Sequence, residues 1–422
     1  VSKSKKDYRT YILATAKPTE HLDGLNRLGG CIYSKTLSLA FKTHEKKGFW
    51  LSDGGLKAYL KFKKYPCHAH SVQAIIDDYC GARRSFFSNL KSNPNAKPPH
   101  KTRKFHTFTW RATGISYKRG KLRLSMGEGS DPLWIKVDKK FHKVVPAEVS
   151  LVYNKTTKQY EFHATYDTVP KKTKTKHGSA IAVDMGEIHP IAAFDGINAE
   201  IYNGRLIRSV MQYRNKFLGS INKALSRCTR YSKHWKKLKR TKNRTLKKID
   251  VQVRDMRHKI TSRFVSSCRE RKIETIVIGD IKQIRQSIQY GKKANQKLHQ
   301  WAFSKIQNMI TYKAKAVGIS VATEDEAYTF QTCPSCRHKK KPSGRTYRCS
   351  KCNWNGHRDI VGASNILTKY QGWLFNPVVG AVVSPTGVRF TPHLRRLDKW
   401  SPFSGLKSSK PPTRKQRSTR KP

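Results

Sequence analysis

Acidic residues are scarce in this chain: 27 Asp and Glu stand against 87 Lys and Arg over 422 residues, a formal net charge of +60. Such self-repulsion is costly unless a polyanion neutralises it, which excludes an ordinary enzyme of this size acting on small molecules. Long apolar runs are missing too. No stretch approaches the twenty or so residues needed to span a bilayer, and amphipathic anchoring would not explain basic residues spread along the whole chain. No membrane partner is expected, and nucleic acid is the natural polyanion. Secretory signal and internal repeat are both absent from the sequence. Five of the nine cysteines (Cys31, Cys67, Cys80, Cys228 and Cys268) form an odd set without patterned spacing, which argues for a reducing cytoplasm rather than a disulfide framework. With 37% hydrophobic residues, the chain can hold two or three domains with real cores.

The other four cysteines are patterned. Cys333-Pro-Ser-Cys336 and Cys349-Ser-Lys-Cys352 are two C-x-x-C pairs separated by twelve residues. Each pair clips one edge of a tetrahedron and the intervening loop brings the pairs together, so the spacing predicts one structural Zn²⁺ held by four thiolates. His357-Arg358-Asp359 follows at once. A metal that only staples a small core leaves the chemistry to the acid beside it.

Local patterning predicts an α+β, multidomain chain. Tyr8 to about Pro18 reads as a strand, and Glu20 to about Lys46 as a helix with Leu22, Leu25, Leu28, Ile32, Leu37 and Leu39 near helical spacing. A second helix is expected from about Ser71 to Leu90. Short β-branched and aromatic runs between Phe105 and Thr168 alternate with turn residues and predict a small β-barrel with a helical insertion. Pro170 to Gly178 is a charged linker. Strands follow at Ser179–Asp184, Pro190–Phe194, Glu274–Asp280 and Gly318–Thr329, with a basic two-helix hairpin from about Tyr213 to Arg271. A further helix is expected from about Asn295 to Val317. The Pro-, Ser- and Lys-rich end predicts disorder over the last twenty or so residues.

A hydrophobic strand ending in Asp184-x-Gly186, followed by an outgoing strand and later acids, is how an RNase H-like sheet gathers a divalent-metal site. Phosphodiester cleavage needs this clustering, because two Mg²⁺ ions about 4 Å apart must be held by several carboxylates. At this point the chain resembles the TnpB proteins, transposon-encoded RNA-guided DNA nucleases related to the type V CRISPR effectors. Ser179–Gly186 resembles the first RuvC segment, Thr275–Ile281 the second, and His357–Ile366 the third, with Tyr328–Cys336 and the second cysteine pair as its zinc module.

The resemblance implies an N-terminal β-barrel wedge domain over 1–170 with a helical recognition insert at about 20–100, and a linker at 171–178. A RuvC nuclease domain would follow at 179–327, interrupted by a zinc-binding module at 328–356, resumed at 357–371, and ended by a basic tail at 372–422. It implies a guide RNA from the transposon end, one protein per RNA, a target DNA with a flanking motif, and a prokaryotic cytoplasmic protein on the nucleoid when bound to DNA. Asp184 and Asp359 match two catalytic positions and would hold Mg²⁺. The second segment departs from the pattern, because Gly279 stands where family members usually place a glutamate. Asp280 cannot simply substitute, since neighbouring strand residues point to opposite faces. Some TnpB branches and the related Fanzor proteins supply this carboxylate from a strand just before the zinc module, which here holds Glu324 and Glu326, and Glu326 is the expected ligand with Glu324 second. The alternative is a nuclease-inactive, repressor-like RNA-guided binder. Trp50 and Gln73 match positions that contact the flanking motif in relatives. The basic residues of 236–248, with Arg83, Arg84 and Lys101–Lys104, suit phosphate contacts.

Overall fold

The computed structural model of the chain describes residues 7–61, 65–155, 157–168, 179–280, 291, 295–296, 301–372 and 388–391. The linker expected at 171–178 and nearly all of the tail expected at 372–422 lie outside the described residues. Two compact units divide the chain, Val1–Val169 and Pro170–Pro422.

In the first unit, strand β1 (Asp7–Ala16) leads into three helices, α1 (Glu20–Lys47), α2 (Asp53–Lys61) and α3 (Ala69–Leu90). The Thr19 side chain caps α1 by accepting from the Leu22 amide, and Gly48 ends it at φ 73°, a conformation glycine adopts without strain. Strands β2 (Phe108–Arg111), β3 (Ile115–Lys118), β4 (Lys121–Leu124), β5 (Leu133–Lys136), β6 (Glu148–Asn154) and β7 (Gln159–Thr168) follow. They form two sheets, β1-β7-β6-β2 and β3-β4-β5. The expected barrel is corrected here, since no closed barrel forms among the described residues. Alternation specifies strands and their buried faces, but closure requires the outer strands to hydrogen-bond. Instead, a 3₁₀ turn at Ala112–Gly114 carries the chain from one sheet to the other, and Trp110, wholly buried, donates from Nε1 to Ser125 O at 2.9 Å.

The second unit is built on a six-stranded sheet of order β12-β11-β8-β9-β10-β15, from β8 (Ala180–Asp184), β9 (Ile191–Phe194), β10 (Ala199–Tyr202), β11 (Thr275–Asp280), β12 (Ser320–Asp325) and β15 (Val388–Thr391). Strands β8, β11 and β12 run parallel, and β8, β9 and β10 form an antiparallel meander. Parallel strands covered on both faces read as continuous apolar runs, as Ala-Ile-Ala-Val and Ile-Val-Ile do here. One face, with Ile181, Val183, Ile276 and Ile278, packs on α5 (Lys233–Glu270) and α6 (Phe303–Ala316). The other, with Ala180, Ala182 and Val277, packs on α7 (Arg358–Gln371) and the cysteine module. Helix α4 (Arg205–Ser226) pairs with α5 as the basic hairpin.

Candidate functional site

The cysteine module is a short hairpin, β13 (Thr346–Arg348) with β14 (Asn355–His357), beside the loop of the first pair. The residues just after each C-x-x-C, Arg337 and Asn353, sit at φ 61° and 54°, which curls the backbone back around the sulfurs. The Sγ atoms of Cys333 and Cys352 are 3.7 Å apart and those of Cys336 and Cys349 3.5 Å, with all four within 4.8 Å of one another. Thiolates at 2.3 Å around a tetrahedral ion would be about 3.8 Å apart, so the quartet fits a metal such as zinc. Burial works against ionisation of Cys349, yet the Lys351 and Cys352 amides bring its thiol down to about 6.

Parity along the strands decides which acids meet. Asp184 ends β8 on the face of Ala180 and Ala182, towards α7, and Gly279 shares that face with Val277. Asp280 has the parity of Ile276 and Ile278 on the opposite face, although its charge is still felt by Glu326. Glu326 is not a strand residue: β12 stops at Asp325, and the expectation of a strand running to Thr329 is corrected. The reason is local, because Asp325 turns its carboxylate back to the Ala327 amide at 3.1 Å and outward to Lys369 Nζ at 3.2 Å. Once past the strand, Glu326 bends over the sheet. A Cβ on Gly279 would lie 2.8 Å from Glu326 Oε2, so the carboxylate fills the space a side chain at 279 would take. Glu324, paired in register with Gly279, instead accepts from its neighbour Asp325 N at 3.2 Å.

The Asp184 and Glu326 carboxyls lie beside each other and interact directly. Burial, then the negative charges of Glu326 and Asp359, push the Asp184 carboxyl well above its ordinary range. Burial also raises Glu326, to about 7, with Asp325 and Asp280 adding to the rise. Glu326 Oε2 is buried without a hydrogen-bond partner. A second glycine admits this arrangement, for a Cβ on Gly362 of α7 would lie 2.5 Å from Asp184 Oδ2.

Asp359 behaves differently. It sits in the first turn of α7, and although burial opposes ionisation, the His189 hydrogen bond and the charges of His357 and Arg345 hold it at about 2. His189 Nδ1 lies 2.7 Å from Asp359 Oδ2, and Arg345 Nη1 donates to the same oxygen at 3.0 Å. His189, His357 and Asp359 bring ligand atoms within 4.8 Å of one another and could hold a metal ion. Facing an ionised carboxylate, however, His189 Nδ1 carries the proton and serves as a donor. Sequence reasoning missed His189, Arg345 and Gly362. Of these only Gly362 left a signal, a glycine in a helix interior where it costs about 1 kcal/mol.

The remaining expected residues lie elsewhere. Trp50 stacks on His44 at 4.4 Å and meets Phe41 edge-on, half-buried against the core of the first unit. Gln73 is half-buried on α3. Arg83 is buried and bonded to Asp53 and Leu51 O, so it braces α3 against α2 and is not free for phosphate, a correction to its expected role. Arg84 pairs with Asp53 too, while remaining exposed.

Comparison with known proteins gives this geometry a family setting. Residues 153–285 match the profile described as Probable transposase, and residues 303–366 that of the Cas12f1-like TNB domain. A TnpB-like protein of Methanocaldococcus jannaschii is 34% identical over 28% of this chain and 43% of its own length. An Escherichia coli K12 protein named "Putative RNA-guided DNA endonuclease InsQ" is 26% identical over 43% of this chain and 50% of its own. The chain thus spans about half the length of the curated relatives it matches. Among solved structures, a chain of the Cas12f1–sgRNA–target DNA complex superposes with a TM-score of 0.58 at 15% identity, covering 82% of each chain, a likeness of fold. Through these two segments and relatives the chain resembles the TnpB-like proteins.

Proposed function

We propose that the protein is an RNA-guided DNA endonuclease of a transposon. A guide RNA from the transposon end would select the target, the helices within 20–100 would read a short flanking motif, and a RuvC site would hydrolyse the backbone. The observation that carries this reading is the Glu326 carboxylate seated against Asp184 in the space left by Gly279. A site decaying towards pure binding has no reason to bring an acid from beyond the strand end into that space.

By its chemistry the donor set suits a hard divalent cation, although the oxygens of Asp184, Glu326 and Asp359 do not all lie within 4.8 Å of one another. It offers three carboxylates, one with a buried, unpartnered oxygen, and two that hold protons tightly for want of positive charge. Asp184, Glu326 and Asp359 would hold Mg²⁺, which when bound stabilises the attacking and leaving oxygens of phosphodiester hydrolysis. The chain's own residues prepare for this. His189 fixes the direction of Asp359 and keeps it ionised. Arg345 offers positive charge beside the same carboxylate. The four thiolates, holding Zn²⁺, would fix the module that carries Arg345.

Plasmid cleavage against a randomised flank, with the protein purified together with its RNA, tests the reading. Mg²⁺-dependent cutting should fall by on the order of a hundredfold or more in Asp184→Ala, Glu326→Ala and Asp359→Ala, with guided binding retained. Intact guided binding without cleavage by the native protein, under every flank, would favour the repressor-like alternative. Full activity in Glu326→Ala with loss in Glu324→Ala would move the role two residues upstream.

A further inference from the structure

The first unit holds a cavity that the proposed nuclease chemistry does not use. It measures about 680 Å³ and lies between the start of α1, the loop 103–107 and the β6–β7 hairpin, within the size range of ligand pockets. Phe105 and Tyr153 line it with rings that are 47% and 39% exposed. Lys104 and Lys155 line it as well. Asn26, also lining the cavity, is only 4% exposed, and its Oδ1 is buried without a hydrogen-bond partner. One turn earlier on the same helix face is Asp23, whose Oδ1 accepts from the Tyr160 hydroxyl at 2.6 Å, leaving Oδ2 as an acceptor.

The cavity is built in advance, because the loop is clamped onto α1. A Cβ on Gly30 would lie 2.5 Å from Lys104 O, and one on Gly29 would lie 3.0 Å from His106 O. The His106 amide donates to Asn26 O at 2.9 Å, and the Arg103 amide to Ser34 Oγ at 2.9 Å. Two glycines inside a helix are unfavourable for its propensity, and here they let a backbone strand lie directly on the helix.

Aromatic walls suit a planar ring, lysines suit a phosphate, and two neighbouring acceptors suit an edge with two adjacent donors. Among nucleobases that edge belongs to guanine, with N1–H beside the 2-amino group. Adenine and cytosine offer one amino group next to an acceptor, and uracil one N–H between two acceptors. We propose that this cavity takes an unstacked guanine nucleotide from a bound strand, its edge on Asn26 and Asp23, its face on Tyr153 or Phe105, and its phosphate on Lys104 or Lys155.

This shares with the proposed function only that the protein binds nucleic acid, so the test omits divalent cations and a dead nuclease leaves it readable. Fluorescence anisotropy on the full chain would compare the labelled ribopentamer UUGUU with UUIUU, in which inosine lacks the 2-amino group. Phosphate contacts bind both probes alike, so their ratio reports the base edge. The guanine probe should bind about five- to tenfold tighter, and the ratio should fall to near one in Asn26→Ala. Equal affinities in the native chain overturn the proposal, as does a preference that persists in a folded Asn26→Ala. Should that variant not fold, the double variant Tyr153→Ala with Phe105→Ala, both exposed, decides, because losing both stacking walls must shrink the ratio and an unchanged ratio overturns the proposal. Deoxy pentamers of the same sequence then tell the source: a preference confined to the ribose probes assigns the pocket to an RNA strand, and one confined to the deoxy probes to DNA.

Discussion

At the scale of single residues, two glycines decide how the acids meet. Gly279 and Gly362 leave room for Glu326 and Asp184, and in each case the atom in the way of a Cβ is the end of a flexible side chain. Gly279→Ala should therefore barely move the thermal midpoint while turning Glu326 aside. Cleavage should drop by roughly ten- to a hundredfold, as a misplacement of about 1 Å can cost, and a cleavage assay beside a melting curve checks both halves. Asn365 has the opposite role. Buried on α7, it donates to Thr329 O at 2.6 Å and Thr332 O at 2.7 Å, tying the helix to the loop that opens the cysteine module. Asn365→Ala leaves both carbonyls short of a donor and should destabilise the protein by about 1–3 kcal/mol in denaturant unfolding. Asp184 and the cysteine quartet are legible from sequence because their signals are local, a strand end and a fixed spacing. His189 and Arg345 are not, because their meeting with Asp359 depends on how three separate segments converge.

At the scale of elements, close approach and metal binding set the predictions. Helix α1 carries Gly30 against the backbone of Lys104, which cannot swing away as a side chain can. Gly30→Ala improves helix propensity by up to about 1 kcal/mol, yet it should destabilise the first unit by about 1–3 kcal/mol through overpacking. The sign of the change in midpoint settles which effect wins. The cysteine module has little apolar core beyond Tyr347 and Trp354, so removing its metal should unfold it. Chelation or Cys349→Ser should release about one zinc per chain and expose Trp354, now 8% exposed, to quenchers of its fluorescence. Periodicity made α1, α3 and the basic hairpin readable in the sequence, and apolar runs did the same for β8 and β11. It did not carry the fate of the N-terminal strands, because the outer partners of β1 and β2 are set by contacts remote in sequence. Nor did it carry the end of β12, where the Asp325 side chain competes for the backbone.

At the scale of the whole molecule, a net charge of +60 governs handling before chemistry. The protein should purify with bound RNA, and its affinity for nucleic acid should fall steeply with salt. Replacing Lys236, Lys237, Lys239 and Arg240 on α5 by Ala should flatten the slope of log affinity against log salt by up to about four, less for each residue that touches no phosphate, without altering sequence preference. Elution free of nucleic acid and stable at moderate salt would remove the physical basis of that expectation. The topology of the sheet carries a consequence for the life of the chain. Strand β11 lies between β8 and β12, and the helix carrying Asp359 closes the same face, so residues 184, 326 and 359 come together across most of the second unit. A ribosome delivers these segments in order, and contacts so distant in sequence form late. Until α7 has left the exit tunnel, the nascent chain holds Asp184 at the end of an unfinished sheet, so under the proposed function it would attract nucleic acid through its basic hairpin before it could cut. On that reading the order of synthesis itself would keep the half-made protein harmless to the DNA around it.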